Sequence, residues 1–278
     1  VQLELAGFLS GLLHECVDDE AVLDFFAAFW RILMKEWGSL DQFRVNKFYS
    51  LMRLMMREAF TLLAGRSWPE DLSVELMEIV ETVVLYEPPN GPRYHLADVM
   101  LSELHSVTEG DCSHEIVELV MSPFFQLIAT SGDPVLRDRM SQAVFYKYLH
   151  VHAQELQPEK KQSKRRKTVE ESEEDEGNTL SVFRRASTQL LQKTLFELAS
   201  STEHTFAKNN RKALYELHSA FQAVTGVQYV EGEGDLVTLE KGNGKGTLTT
   251  KKGKGKKEEK EKATNNKIYK KAKSESKW

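Results

Sequence analysis

Eight histidines, two cysteines and 42 carboxylates are the groups in this chain that can do chemistry. Their spacing decides whether they do. No His-Glu-x-x-His occurs, and His150 and His152, two residues apart, point to different sides of a helix. Cys16 and Cys112 lie far apart with no partner motif, which predicts neither a disulfide framework nor a zinc site and fits a reducing compartment. The carboxylates are scattered as on a solvated surface, and no Ser or Cys stands in an identifiable nucleophile–base arrangement. Gly242-Asn-Gly-Lys-Gly-Thr247 lacks the GxxxxGK[ST] spacing and the strand–loop–helix context of a phosphate loop, and reads as flexible linker. The residue types therefore predict a non-enzyme that uses no metal, cofactor or small-molecule substrate.

Binding chemistry is better represented. Between Asp41 and Ala64, apolar residues cover most of a helical circumference and leave one polar stripe: Asn46, Ser50, Arg53, Arg57 and Thr61. Arg53 and Arg57 there can meet phosphate or a partner; the plainer reading pairs them with acidic neighbours. Trp30 and Trp37 stand among Phe25, Phe26 and Phe29 at helical spacing, mostly as core, with some able to anchor a partner in a groove. With Arg93 these give five partner-contact candidates. The lysine-rich end supplies RNA-contact candidates Lys251, Lys252, Lys254, Lys256, Lys257, Lys267, Tyr269, Lys270 and Lys271, with Ile268 and Trp278 interrupting the charge. Lysines there release phosphate counterions, and the rings stack on unpaired bases. Lys164, Arg165, Arg166 and Lys167 resemble a nuclear import signal. Ser172 precedes an acidic run and Ser187 follows Arg184-Arg185-Ala186, so both are phosphorylation candidates.

The elements that must position these residues are helices. Residues 1–155 carry 11 Lys/Arg against 24 Asp/Glu, a net of −13, whereas 14 Lys stand against 4 Glu from Lys241 onward. This is an acidic globule with a basic tail. Helical periodicity predicts helices over 3–15, 19–37, 41–64 with Asp41 as its cap, 70–86 behind a Ser67–Glu70 capping box, and 94–107. A further helix starts near Ser113 and is expected to break at Pro123, and Asp133-Pro134 opens one running to about Gln154. Between them, Glu87-Pro-Pro-Asn-Gly-Pro92 reads as a stiff elbow, with Gly91 free to take positive φ. The domain over 1–156 is thus expected to be all-α, a HEAT-like stack of antiparallel helices. A charged linker follows at 157–179, then a helical segment at 180–226 expected to dock on the globule or a partner, then a disordered Gly/Lys-rich basic tail at 227–278. No run of about 18 uncharged apolar residues occurs, so no membrane span is expected. The start lacks a basic signal-peptide region and an initiator Met, which reads as a trimmed chain.

Two stretches resemble a known family. Glu36-Trp37-Gly38, Asp41, and then Lys47, Phe48, Tyr49, Leu51 and Arg53 are similar to the aromatic-rich helix pair of the eukaryotic ribosomal RNA processing protein 1 family. Pro89, Asn90, Gly91, His95, Leu96, Asp98, Glu103 and Leu104 resemble the same family's Pro-Asn-Gly elbow and following helix, and residues 209–221 its later Asn-Arg-Lys helix. Pro92 departs from the pattern, where an aliphatic residue is usual. The resemblance implies a non-enzymatic nucleolar assembly factor of pre-60S particles, an α-helical scaffold required for pre-rRNA processing. Its implied partners are other assembly factors, ribosomal proteins and, through the tail, pre-rRNA. The alternative reading is a nuclear adaptor that carries basic cargo on the acidic surface.

Overall fold

The first helix is short and only half committed to the interior. In the computed structural model, α1 (Gln2–Gly11) runs into a 3₁₀ turn, Leu12–Glu15, and packs on the later helix Val45–Gly65. Ser10 and Leu13 are buried, while Leu9 and Leu12 stay exposed with Leu5 and Phe8. The structure describes residues 2–156, 182–201, 206–228 and 237–238. Residues 1–226 form one compact unit and 227–278 a second.

Local chemistry explains most helix limits. The Asp18 carboxylate accepts the Ala21 amide and opens α2 (Asp19–Glu36). Asp41 does the same for the Phe43 and Arg44 amides, but it caps a separate turn; the helix proper, α3 (Val45–Gly65), starts one turn later. The expected capping box at Ser67 does not form. Ser67 and Trp68 take left-handed φ of 59° and 56°, and their amides close α3 by bonding the Ala64 and Leu63 carbonyls. Trp68 lies against Phe60, and Pro69 occupies the cap position of α4 (Glu70–Ile79), which continues as a π turn, Val80–Leu85.

The elbow is shorter than the prolines suggest. α5 (Asn90–Thr108) begins at Asn90, so Gly91 and Pro92 are its first turn, where a missing amide costs nothing. Gly91 is helical, not left-handed. The buried Arg93 guanidinium reaches back to the Leu85 and Tyr86 carbonyls and to Asn90 Oδ1, which ties the two sides of the bend together.

Pro123 does not break α6 (His114–Thr130). Proline removes the amide that would bond the Leu119 carbonyl, and the Ser122 hydroxyl donates to that carbonyl instead at 2.8 Å. Asp133 accepts the Val135 and Leu136 amides and opens α7 (Pro134–Met140), followed by a π turn, Ser141–Tyr146, and α8 (Lys147–Leu156). The later segment belongs to the same unit. Gly110, at φ 72°, lets the chain pass so closely that a Cβ would lie 2.7 Å from the Val182 carbonyl. There the Arg184 amide donates to the Gly110 carbonyl and Phe183 is buried. α9 (Thr188–Ser200) and α10 (Lys208–Thr225) pack on each other and on α6. The fold is all-α, with one two-residue bridge, Val227–Gln228 to Val237–Thr238, among the described residues. Its core is continuous from Phe26 and Trp30 through Phe60 and Phe124 to Tyr148 and Phe221.

A candidate interaction surface along the α3–α5 seam

The polar stripe of α3 meets α5 at one fully buried carboxylate. Glu103 is 0% exposed and accepts hydrogen bonds from Arg53 Nε and from Arg57 Nε, the latter at 2.6 Å. A lone buried carboxylate is costly, and two guanidiniums offset that cost with charge-assisted bonds while leaving one positive charge in excess. The side chains of Arg53 and Arg57 remain 19% and 37% exposed.

One turn toward the elbow the seam becomes aromatic. Trp37 packs on Tyr49 with ring centres 5.3 Å apart, and Tyr49 lies 4.3 Å from the His95 ring. His95 Nε2 donates to the Tyr49 carbonyl at 3.0 Å; a carbonyl only accepts, so the proton sits on Nε2. Burial pushes the His95 pKa down, and the bond to Tyr49 only partly opposes it. Trp37 reaches α5 because residue 91 is glycine: a Cβ there would stand 2.6 Å from Trp37 Nε1.

The outer edge of α5 carries a second charge cluster. Arg139 Nη2 bonds both Asp98 oxygens at 2.7 and 2.6 Å, and its guanidinium lies 5.7 Å from the Tyr94 ring centre. Lys147 Nζ donates to the Asp98 carbonyl at 3.0 Å and lies 3.4 Å from Ser102 Oγ. Three guanidiniums thus meet two carboxylates beside half-buried rings, with Lys147 held on the Asp98 backbone.

Each residue singled out from sequence has a place. Trp30 is fully buried, edge-on to Phe26 and Phe29, so as a direct partner contact it is corrected: the ring belongs to the core. Arg93, 7% exposed, clamps the elbow instead of facing a partner. Arg53 and Arg57 follow the plainer reading, ion pairing, and Trp37 is half-buried at the seam. Ser187 caps α9, its hydroxyl accepting the Leu190 amide at 3.3 Å, while Arg185 is paired with Asp111. Lys164–Lys167, Ser172 and the tail candidates from Lys251 to Lys271 lie outside the described residues. Sequence reading missed Arg139, Lys147 and Tyr94, which no motif marks. It named Tyr49, His95, Asp98 and Glu103 only as identities within the resemblance, without foreseeing that they meet.

Catalytic geometry is not what the strip offers. Burial and the neighbouring Glu78 push Glu81 up to about 7, a value suited to proton transfer, but its polar neighbours are Tyr86 and Glu78, which burial also raises. In the cleft of about 380 Å³ lined by His14, Thr61, Leu62, Gly65 and Arg66, His14 is paired with Glu58 and the Thr61 hydroxyl donates to the Arg57 carbonyl. No group of three or more metal-ligating residues occurs among the described residues, and no described helix is long and apolar enough to cross a membrane.

Comparison with known proteins gives the seam a context. The chain is similar to human ribosomal RNA processing protein 1 homolog A, 30% identical over 148 residues that cover 52% of this chain and 32% of the relative. It is 28% identical to the Dictyostelium discoideum homolog over 263 residues, 87% of this chain and 51% of the relative. The Caenorhabditis elegans homolog is 26% identical over 225 residues, 80% of this chain and 52% of the relative. The chain therefore spans from a third to a half of the length of these relatives. A family model described as "Nucleolar protein, Nop52" matches residues 1–277, and the chain belongs to the Nop52 family.

Proposed function

We propose that this chain is a non-enzymatic nucleolar scaffold of large-subunit, pre-60S ribosomal precursors, required for pre-rRNA processing. The seam carries this reading. The residues that resemble the family in two separate stretches converge there into a buried charge clamp and an aromatic tier, built to hold helices in register and to present a surface. The relatives named for ribosomal RNA processing support the pathway. In this reading the helices stack in HEAT-like fashion as a platform for other assembly factors and ribosomal proteins. The lysines and Tyr269 between Lys251 and Lys271 hold pre-rRNA by counterion release and stacking. Lys164–Lys167 direct nuclear import. The test is sedimentation of the tagged chain from nuclear extract: it is expected to travel with large-subunit precursors, and recovery only in free fractions overturns the proposal.

A second reading rests on the net −13 over residues 1–155. An acidic adaptor would bind basic proteins in a salt-sensitive, RNA-independent manner. Ribonuclease treatment separates the two, since the scaffold leaves the particle fractions when the RNA is digested and the adaptor keeps its cargo.

A further inference from the structure

We propose that Ser187 is a phosphorylation site for a basophilic Ser/Thr protein kinase, and that its phosphate tightens the docking of the α9–α10 segment. This goes beyond the scaffold reading and does not depend on it.

The recognition elements come first. Arginines stand three and two residues before Ser187, and among the described residues no other Ser or Thr has that pair. Kinases of this class read the two guanidiniums with carboxylates, so both must be reachable. Arg184 is exposed and bonds no carboxylate among the described residues. Arg185 is paired with Asp111, but the two side chains are 61% and 53% exposed, and so open a pair holds weakly. Ser187 is half-buried, with extended backbone at φ −91° and ψ 107°. Its hydroxyl accepts one bond, from the Leu190 amide at 3.3 Å.

The fold decides what the phosphate does. Residues 182–187 form a strap that fastens the later segment to the body. Phe183 is buried, the Arg184 amide donates to the Gly110 carbonyl at 2.9 Å, and Arg185 reaches Asp111. In the transfer, the Ser187 Oγ–P bond forms and the bond from the γ-phosphorus of a nucleoside triphosphate to its β–γ bridging oxygen breaks. The hydroxyl proton passes to the kinase's base and the nucleoside diphosphate leaves. The phosphate then stands at the cap of the 13-residue α9. Its oxygens replace the hydroxyl as acceptors for the Leu190 amide and meet the positive end of the helix. Arg184 supplies a cation three residues back. The arginines and the strap mark the site; the helix end sets only the direction of the effect.

The full chain is incubated with ATP and the catalytic subunit of cyclic-AMP-dependent protein kinase. Phosphate is assigned residue by residue by mass spectrometry, because Thr168 follows Arg165-Arg166-Lys167 in the same pattern. Ser187 is expected to be modified, at a rate at least about tenfold lower in Arg184→Ala. Thermal melts of treated and untreated chain are then compared. Phosphorylation is expected to raise Tm by about 2–4 °C. Ser187→Ala, treated identically, is expected to show no rise, which separates this phosphate from any other; Ser187→Asp serves as that control if the alanine variant does not fold. No phosphate on Ser187, an undiminished rate in Arg184→Ala, a Tm that falls or stays, or an equal rise in the control overturns the inference. Sedimentation with precursors, the test of the scaffold reading, is decided separately.

Discussion

Replacing Glu103 tests the seam most sharply as a piece of folding chemistry. The carboxylate is fully buried and is the shared anion of Arg53 and Arg57. Removing one partner of a buried pair costs about 3–5 kcal/mol, because the remaining charge is left in the interior. At 19% and 37% exposure the two arginines recover part of their hydration. Glu103→Ala is therefore expected to cost about 3 kcal/mol, and Glu103→Gln, which keeps one acceptor oxygen, about 1–2 kcal/mol. In a unit of this size about 3 kcal/mol lowers Tm by about 6–12 °C. The assay is thermal unfolding of the full chain followed by circular dichroism. A triple variant, Arg53→Met with Arg57→Met and Glu103→Met, leaves no orphaned charge and is expected to regain at least half of the loss. A Tm drop below about 2 °C for Glu103→Ala would refute the claim that this carboxylate binds α3 to α5.

Three further outcomes follow from the same structure. Gly91→Ala gains helix propensity of about 1 kcal/mol but drives a methyl to 2.6 Å from Trp37 Nε1; the clash is expected to win by about 1 kcal/mol, with altered Trp37 fluorescence, and Trp37→Leu is expected to restore the loss. Ser122→Ala leaves the Leu119 carbonyl beside Pro123 without its donor and is expected to lower stability by about 1 kcal/mol in urea unfolding. Acid is expected to loosen the docking of the α9–α10 segment, because burial holds His152 of α8 down at about 4 and lowers His105 of α5 and His218 of α10 as well. His152 accepts the Phe183 amide, His105 lies edge-on to Phe183, and His218 pairs with Gln192. Folded values below about 6.5 mean that the unfolded chain takes up protons first, so this stability is complete above about pH 6.5 and is lost as pH falls toward 4. Thermal melts at pH 7 and pH 5 check this: His152→Gln, which keeps an acceptor, is expected to lose less on acidification than the parent, and an equal loss would contradict the assignment.

Local signals in the sequence were sound where neighbours alone decide the structure. Asp133-Pro134 opens α7 as its residues require, and the helical spacing of Phe26, Trp30 and Leu33 puts those side chains in the core. Readings drifted where a distant group intervenes. Gly91 looked like a source of backbone freedom, yet its lack of a side chain serves Trp37, which arrives from another helix. Pro123 looked like a break because a proline inside a helix loses an amide, while only the folded geometry brings the Ser122 hydroxyl onto the Leu119 carbonyl. Arg53 and Arg57 had an evident need for an anion, but nothing in the spacing singles out Glu103, about 50 positions away, from the other 41 carboxylates of the chain. The edge at Arg139 and Lys147 was the least legible part, since a site assembled from three helices leaves no contiguous trace.

We propose that the helical body binds protein while the lysine-rich end binds RNA. Crosslinking within purified large-subunit precursors, with adducts mapped along the chain, measures this directly. RNA adducts confined to residues 241–278, with protein adducts on the helices of residues 1–226, are the predicted result. RNA adducts spread evenly over α2 to α8 would contradict it.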